Sequence, residues 1–238
     1  MGSAIREKLA GGYRGMRLAA GVDPSADADD EIMFGALDEF EGDADVILDF
    51  SHHTCTEALT EYAVSRGLPC VIATTGQTEE ERAMIEAAAK KIPVFLSANM
   101  SLGIAVIARF ARMAASIMPD AEVEIVETHH DRKIDSPSGT ALILANAVCE
   151  SLPDAELVFG RHGNKKRDRR EIGIHSLRLG GVVGEHEVII SSGNEIITLK
   201  HTAESRALFA EGALAAAEFI IGKPAGIYNM NDVAGGAG

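Results

Sequence analysis

The chain has 238 residues, enough for one large domain or two of modest size. Hydrophobic residues make up 46% and charged residues 24%, a globular balance that excludes a disordered chain. With 36 Asp and Glu against 22 Lys and Arg the formal net charge is −14, which argues against nucleic acid or an anionic membrane as partner, since either requires a basic face.

The predicted elements then follow in order. Residues 2–10 read as a short helix closed by Gly11 and Gly12. Residues 16–22 read as a strand ending at Asp23-Pro24, and 25–30 as an acidic loop. The short apolar runs 46–50, 69–73 and 93–96 have the pattern of strands buried on both faces. Between them lie helices at 54–66, stopped by Gly67, and at 78–91, with Glu79, Glu80 and Glu81 in the first turn and Lys90 and Lys91 in the last, as a helix dipole favours. Strand and helix in short alternation predict a parallel, doubly wound α/β sheet with ligands at the carboxyl ends of its strands. The loops at those ends are Asp23-Pro24, Ser51-His52-His53, Thr74-Thr75-Gly76 and Ala98-Asn99-Met100, all small or polar.

Residues 101–118 form a long apolar helix ended by Pro119. Strand candidates then follow one another at 122–127, 156–161, 172–178, 185–191 and 195–201, interrupted only by a helix starting near Ser138. Sequential strands with turn signals such as Ser192-Gly193-Asn194 predict antiparallel or mixed pairing, hence a second, α+β domain. Residues 204–221 form an Ala-rich helix, and the Gly-Gly-Ala-Gly end is expected to fray. No CxxC spacing links Cys55, Cys70 and Cys149, so neither disulfides nor zinc are expected, and His52-His53 lacks a third ligand at metal spacing. No apolar stretch reaches the roughly 20 residues of a membrane span and no signal-peptide pattern is present, so the expected location is cytoplasmic.

The densest chemistry lies in residues 126–141, where His129, His130 and Lys133 precede Ser138-Gly139-Thr140 at the mouth of a helix. The first N–H groups of a helix lack internal partners and carry the positive end of its dipole. An anion binds there readily, and glycine lets it approach the backbone closely. Lys133 and a protonated His130 would add positive charge, and His129 can hold or release a proton near neutral pH. These residues are expected to sit on a loop leaving a strand and to seat a carboxylate beside an acid–base group.

His-His-Asp-Arg-Lys-Ile-Asp-Ser-Pro-Ser-Gly-Thr-Ala, residues 129–141, resembles the signature of the 4-hydroxy-tetrahydrodipicolinate (dihydrodipicolinate) reductase family, and the likeness extends over nearly the whole chain. The resemblance implies an NAD(P)H-dependent oxidoreductase of lysine and diaminopimelate biosynthesis, which reduces a small cyclic imine dicarboxylate with loss of water. It implies that His129 is a proton donor/acceptor, Lys133 a second proton donor, His130 a substrate contact, and Gly139 and Thr140 the holders of one carboxylate. It places the domain boundary so that 1–100 and 205–238 form a Rossmann-like cofactor domain, with 101–204 inserted as the substrate and oligomerisation domain of a homotetramer.

On the cofactor side, Met1-Gly2 resembles the end of the family's Gly-x-x-Gly-x-Met-Gly turn, so the first strand and earlier glycines are expected to be missing. That leaves either an upstream segment or poor nucleotide binding. Asp23 ends the second strand, about twenty residues past the turn, where an acidic residue bonds the adenosine ribose. Pro24 follows it, not an arginine, which favours NADH over NADPH. Ala73, Thr74 and Thr75 match a loop beside the nicotinamide ribose, and Ser97, Ala98, Asn99 and Met100 a second cofactor loop, there with a looser fit. The basic run 161–170 could steer a dianion or be a solvated loop. Residues 201–206 resemble the family segment that passes back to the first domain, with a hinge or cofactor-side role, and Arg178–Gly181 and Gly184–His186 read as sheet architecture. The alternatives are an aspartate-type amino-acid dehydrogenase, which would lack the His-His-x-x-Lys and Ser-Gly-Thr constellation, and a nucleotide-binding protein without catalysis.

Overall fold

The computed structural model describes residues 1–27 and 29–235, and shows two compact units, Met1–Met100 with Ala207–Gly238 and Ser101–Arg206. The first segment begins with helix α1, Gly2–Ala10, then strands β1, Gly21–Val22, and β2, Met33–Phe34, which pair in parallel. Strand β3, Ile47–Asp49, leads through a 3-10 turn to helix α2, Thr56–Arg66, which Gly67 ends with a left-handed φ of 64°. Strand β4, Cys70–Ile72, helix α3, Glu79–Ala89, and strand β5, Pro93–Leu96, follow. Thr78 and Glu81 close a capping box at the start of α3, which fixes its first turn.

The expected strand at 16–22 is shorter than the sequence suggests. Among the described residues only Gly21 and Val22 of that stretch join a ladder, paired with Met33 and Phe34. A strand exists where a neighbour takes its hydrogen bonds, whatever its own propensity. Ala28, in the acidic loop, lies outside the described residues.

The second unit opens with helix α4, Leu102–Ile117, capped by the Ser101 hydroxyl, which accepts from the Ile104 N–H. Strand β6, Glu122–His129, helix α5, Gly139–Cys149, and strands β7, Glu156–Phe159, β8, Glu171–Arg178, β9, Gly184–Ser191, and β10, Ile196–Ala203, complete it. The sheet is mixed, in the order β10-β9-β6-β8-β7: β6 and β7 run parallel to β8, and β9 runs antiparallel to β6 and β10. Alternate residues of β6 are buried, and Val123 and Ile125 pack with Ile172, Ile174, Val188 and Ile190 under α4 and α5.

The chain then returns to the first unit with helix α6, Ala207–Ile220, strand β11, Gly226–Tyr228, and helix α7, Met230–Gly235. The four-stranded sheet has the order β11-β5-β4-β3, parallel throughout. Cys70, Val71 and Ile72 are all buried, as expected of a strand covered on both faces. A seam of Ile5, Leu48, Phe50, Ala210 and Leu214 joins α1, the β3 stretch and α6. Residues 236–238, most of the end expected to fray, lie outside the described residues.

Candidate active site

The pleat of β6 carries two kinds of residue on one buried face. Val123 and Ile125 occupy its core end, and Glu127 and His129 continue the same alternation toward its carboxyl end. Register does the rest: Glu127 lies opposite Ser176 of β8 and His186 of β9, and His129 lies opposite Arg178. The face that begins as a hydrophobic layer therefore ends as a polar row.

Glu127 is fully buried, and every oxygen is engaged. Its Oε2 accepts from His129 Nδ1 at 2.5 Å and from Arg178 Nη1 at 3.0 Å. Its Oε1 accepts from Arg178 Nη2 at 3.0 Å and from the Ser138 N–H at 3.1 Å. Burial works to raise this carboxyl, but Arg178, Ser176, His129 and the Ser138 amide outweigh it and hold the group down at about 2. His186 meets the His129 ring edge-on, with centroids 5.0 Å apart at 75°, and its Nε2 lies 3.2 Å from the Ser138 hydroxyl. Burial, then the neighbouring His129, lower the His186 imidazole to about 4 against the pull of Glu127, so it is neutral at pH 7.

His129 thus stands in the strand itself, not on the loop after it. The Leu179 N–H bonds the His129 carbonyl at 2.8 Å, and the Asp131 N–H bonds the Gly180 carbonyl at 3.1 Å, which extends the pairing past the expected end. The loop beyond carries His130 and Lys133, and the Lys133 Nζ is paired with Asp135 Oδ1 at 2.8 Å. Burial first, then Arg132, Arg206 and the neighbouring His129 and Lys133, push the His130 imidazole below its ordinary pKa. A cis Ser136–Pro137 bond then leads to Ser138, whose hydroxyl caps α5 by accepting from the Ala141 N–H at 3.2 Å. Gly139 and Thr140 follow as the first two residues of α5, and a side chain built on Gly139 would meet nothing within 4 Å. The mouth of the helix is therefore open at its first residue.

The structure draws in two residues that the sequence did not single out, Glu127 and Asp135, and gives Arg178 a place at the site. His186, read as architecture with Arg178, joins them. The basic run is largely spent on local ion pairs: Arg161 and Lys165 on the buried Glu171, Arg167 on Glu124, and Arg170 on Asp168. That leaves little of it to steer an anion. His201 lies in β10, with its Nε2 3.4 Å from the Ser101 hydroxyl.

In the first unit, the loops after β3, β4 and β5 lie at one edge of the parallel sheet. Ala73, Thr74 and Thr75 follow β4, and Ser97, Ala98, Asn99 and Met100 follow β5. Asp23 follows β1, its Oδ1 accepting from the Ser25 N–H at 2.8 Å. Met1 caps α1 and Gly2 opens it, without a side-chain cap on the first amides. The Thr74 hydroxyl is buried with no hydrogen-bond partner, an orphan at the edge where parallel sheets bind nucleotides. That unpaired hydroxyl at the carboxyl end of β4 fits the needs of a dinucleotide. His53 is spent on Glu81 at 2.9 Å, and no group of three metal-ligating residues occurs among the described residues.

A parallel α/β unit with such an edge, and a mixed-sheet unit with a buried acid–base cluster, define the class as an NAD(P)-dependent oxidoreductase of two-unit build. The sequence pattern of the N-terminal part of dihydrodipicolinate reductase matches residues 1–100, and that of its C-terminal part matches residues 103–234. The chain belongs to the dihydrodipicolinate reductase family. It is 45% identical over 235 residues to the 4-hydroxy-tetrahydrodipicolinate reductase of Caldanaerobacter subterraneus subsp. tengcongensis, covering 98% of this chain and 93% of that one. It is 43% identical over 222 residues to the same enzyme of Clostridium tetani, covering 92% and 87%. The dipicolinate-bound dihydrodipicolinate reductase from Paenisporosarcina sp. TG-14 superposes with a TM-score of 0.79 at 25% identity, covering 94% of this chain and 92% of that one.

Proposed function

We propose that this chain reduces 4-hydroxy-tetrahydrodipicolinate to tetrahydrodipicolinate with loss of water, in lysine and diaminopimelate biosynthesis. The observation that carries the reading is the fixed His129 imidazole beside the open mouth of α5, with Lys133 on the loop between them. The structural relative that holds dipicolinate supports a ring dicarboxylate of this kind as ligand.

The nicotinamide cofactor, when bound, would supply a hydride to the ring carbon conjugated with the imine once the 4-hydroxyl has left as water. The residues of the chain manage charge and protons. Gly139 and Thr140 seat one carboxylate on the amides that open α5, where the helix dipole favours an anion. His129 gives a proton to the ring nitrogen as electron density builds there. Lys133 serves as a second proton donor, and a dianion entering the site competes with Asp135 for its ammonium. His130 makes one hydrogen bond to the substrate. Met1, Gly2, Asp23, Ala73 to Thr75 and Ser97 to Met100 hold the cofactor, and Pro24 after Asp23 favours NADH. We further propose a homotetramer, supported by Leu177 and Ile196 exposed on the second unit's sheet, and a cytoplasmic setting, supported by three free cysteines.

The test is spectrophotometric. The protein is mixed with NADH or NADPH and the imine is generated in place by dihydrodipicolinate synthase. Absorbance at the nicotinamide band falls only when the imine is supplied. No loss of absorbance with either cofactor overturns the proposal.

A further inference from the structure

We propose that Glu127 is a positioning residue that fixes which nitrogen of His129 exchanges protons and locks that nitrogen to the carboxylate seat at α5. The inference rests on the reading of His129 as the acid–base group. A carboxylate deprived of water is costly unless every oxygen is bonded. Glu127 meets that demand with one contact to His129, two to Arg178 and one to the Ser138 amide.

An ionised carboxylate only accepts hydrogen bonds, so the proton on the neutral His129 ring must sit on Nδ1. Nε2 is left as the atom that takes or gives a proton, and protonation makes the ring a cation facing an anion. Gly184 keeps that side of the ring clear: a side chain there would begin 3.1 Å from Nε2. His186 braces the plane of the ring edge-on and, being neutral, adds no opposing charge. Arg178 keeps the carboxylate ionised and also bonds the Asp135 carbonyl at 2.6 Å, so the loop bearing Lys133 hangs from the same cluster. The Ser138 amide, one residue before Gly139, is held by the oxygen that does not touch His129. A single rigid group therefore sets the spacing between proton donor and anion seat. A merely structural Glu127 would neutralise Arg178 and nothing more.

The experiment uses the full chain with Glu127→Gln and Glu127→Asp, after turnover of the wild type has been shown. Absent wild-type turnover defeats the functional reading itself, and is thereby told apart from a failure of this inference. With Glu127→Gln, kcat should fall about 100-fold or more, as for loss of a general acid. KM for the imine and the inhibition constant of dipicolinate should stay within about threefold, since the seat persists. Glu127→Asp should recover part of kcat. In wild type labelled with ¹⁵N-histidine, long-range ¹H–¹⁵N correlations, assigned with His129→Asn, should show His129 protonated on Nδ1. A Glu127→Gln enzyme with kcat within about threefold of wild type overturns the inference. So does a His129 ring carrying its proton on Nε2, a result that needs no variant at position 127.

Discussion

Acidification should destabilise this protein through His186 in a range where the buried Glu127 is still ionised. The ring is 4% exposed, and its Nδ1 is buried with no hydrogen-bond partner, so charging it in place is unfavourable. Its folded pKa of about 4 lies below the ordinary 6.5. The unfolded chain therefore takes up the proton first as pH falls, and each proton it binds favours unfolding. The stability this group preserves is whole above about pH 6.5 and drains away as pH drops through about 4. Integrating the two titrations gives a loss of about 2 kcal/mol at pH 5 and about 3 kcal/mol at pH 4. That is a large share of the roughly 5–15 kcal/mol that holds a typical domain. Urea unfolding at pH 7, 6, 5 and 4 should be followed for wild type and for His186→Gln, whose amide reaches toward the Ser138 hydroxyl but does not titrate in this range. Carboxylates common to both proteins, Glu127 among them, cancel in the difference. The wild type should lose about 3 kcal/mol more than the variant between pH 7 and pH 4. Parallel curves would show that His186 is protonated as easily in the fold as out of it, and the reasoning from burial would be wrong.

Two further outcomes are expected. A side chain at Gly212 of α6 would begin 1.6 Å from the Met100 carbonyl oxygen, and backbone yields poorly. Gly212→Ala should lower stability by about 1–3 kcal/mol and push the Met100 loop out of place. A loss of NADH affinity in a fluorescence titration would accompany a lower melting temperature, and unchanged values of both would refute the close packing. Asp135→Asn removes the carboxylate that holds Lys133, so KM for the imine should fall by about two- to fivefold, the worth of a half-exposed ion pair. A raised KM would mean instead that Asp135 orients the lysine for substrate.

The sequence made the doubly wound half plain because its signals are local. Gly67 and the Thr78 to Glu81 box sit next to the boundaries they set, and three short apolar runs are each bounded by turns or helices. Residues 33–34 and 226–228 are too short to show a period, and 16–20 look like a strand but gain no partner strand among the described residues. His129, His130, Lys133, Gly139 and Thr140 were legible because they crowd into one stretch. Arg178 and His186 were not, since they reach Glu127 from about fifty and sixty positions away, through sheet register alone. The clue that was present is the alternation itself: Val123, Ile125, Glu127 and His129 share one face, so an acid was bound to lie in the core and to require a cation. The charges of residues 161–170 were equally visible, but their partners Glu124 and Glu171 come from other strands.

The first unit is encoded in two pieces with the whole second unit between them. During synthesis the later unit is therefore fully extruded, and free to fold, while the earlier one still lacks α6 and β11. In that interval the outer edge of β5 has no partner strand, and Ile5, Leu48 and Phe50 have lost the cover of Ala210 and Leu214. Synthesis that ends just past Arg206 would leave a sticky, incomplete product, with an open sheet edge of the sort that seeds aggregation and recruits chaperones.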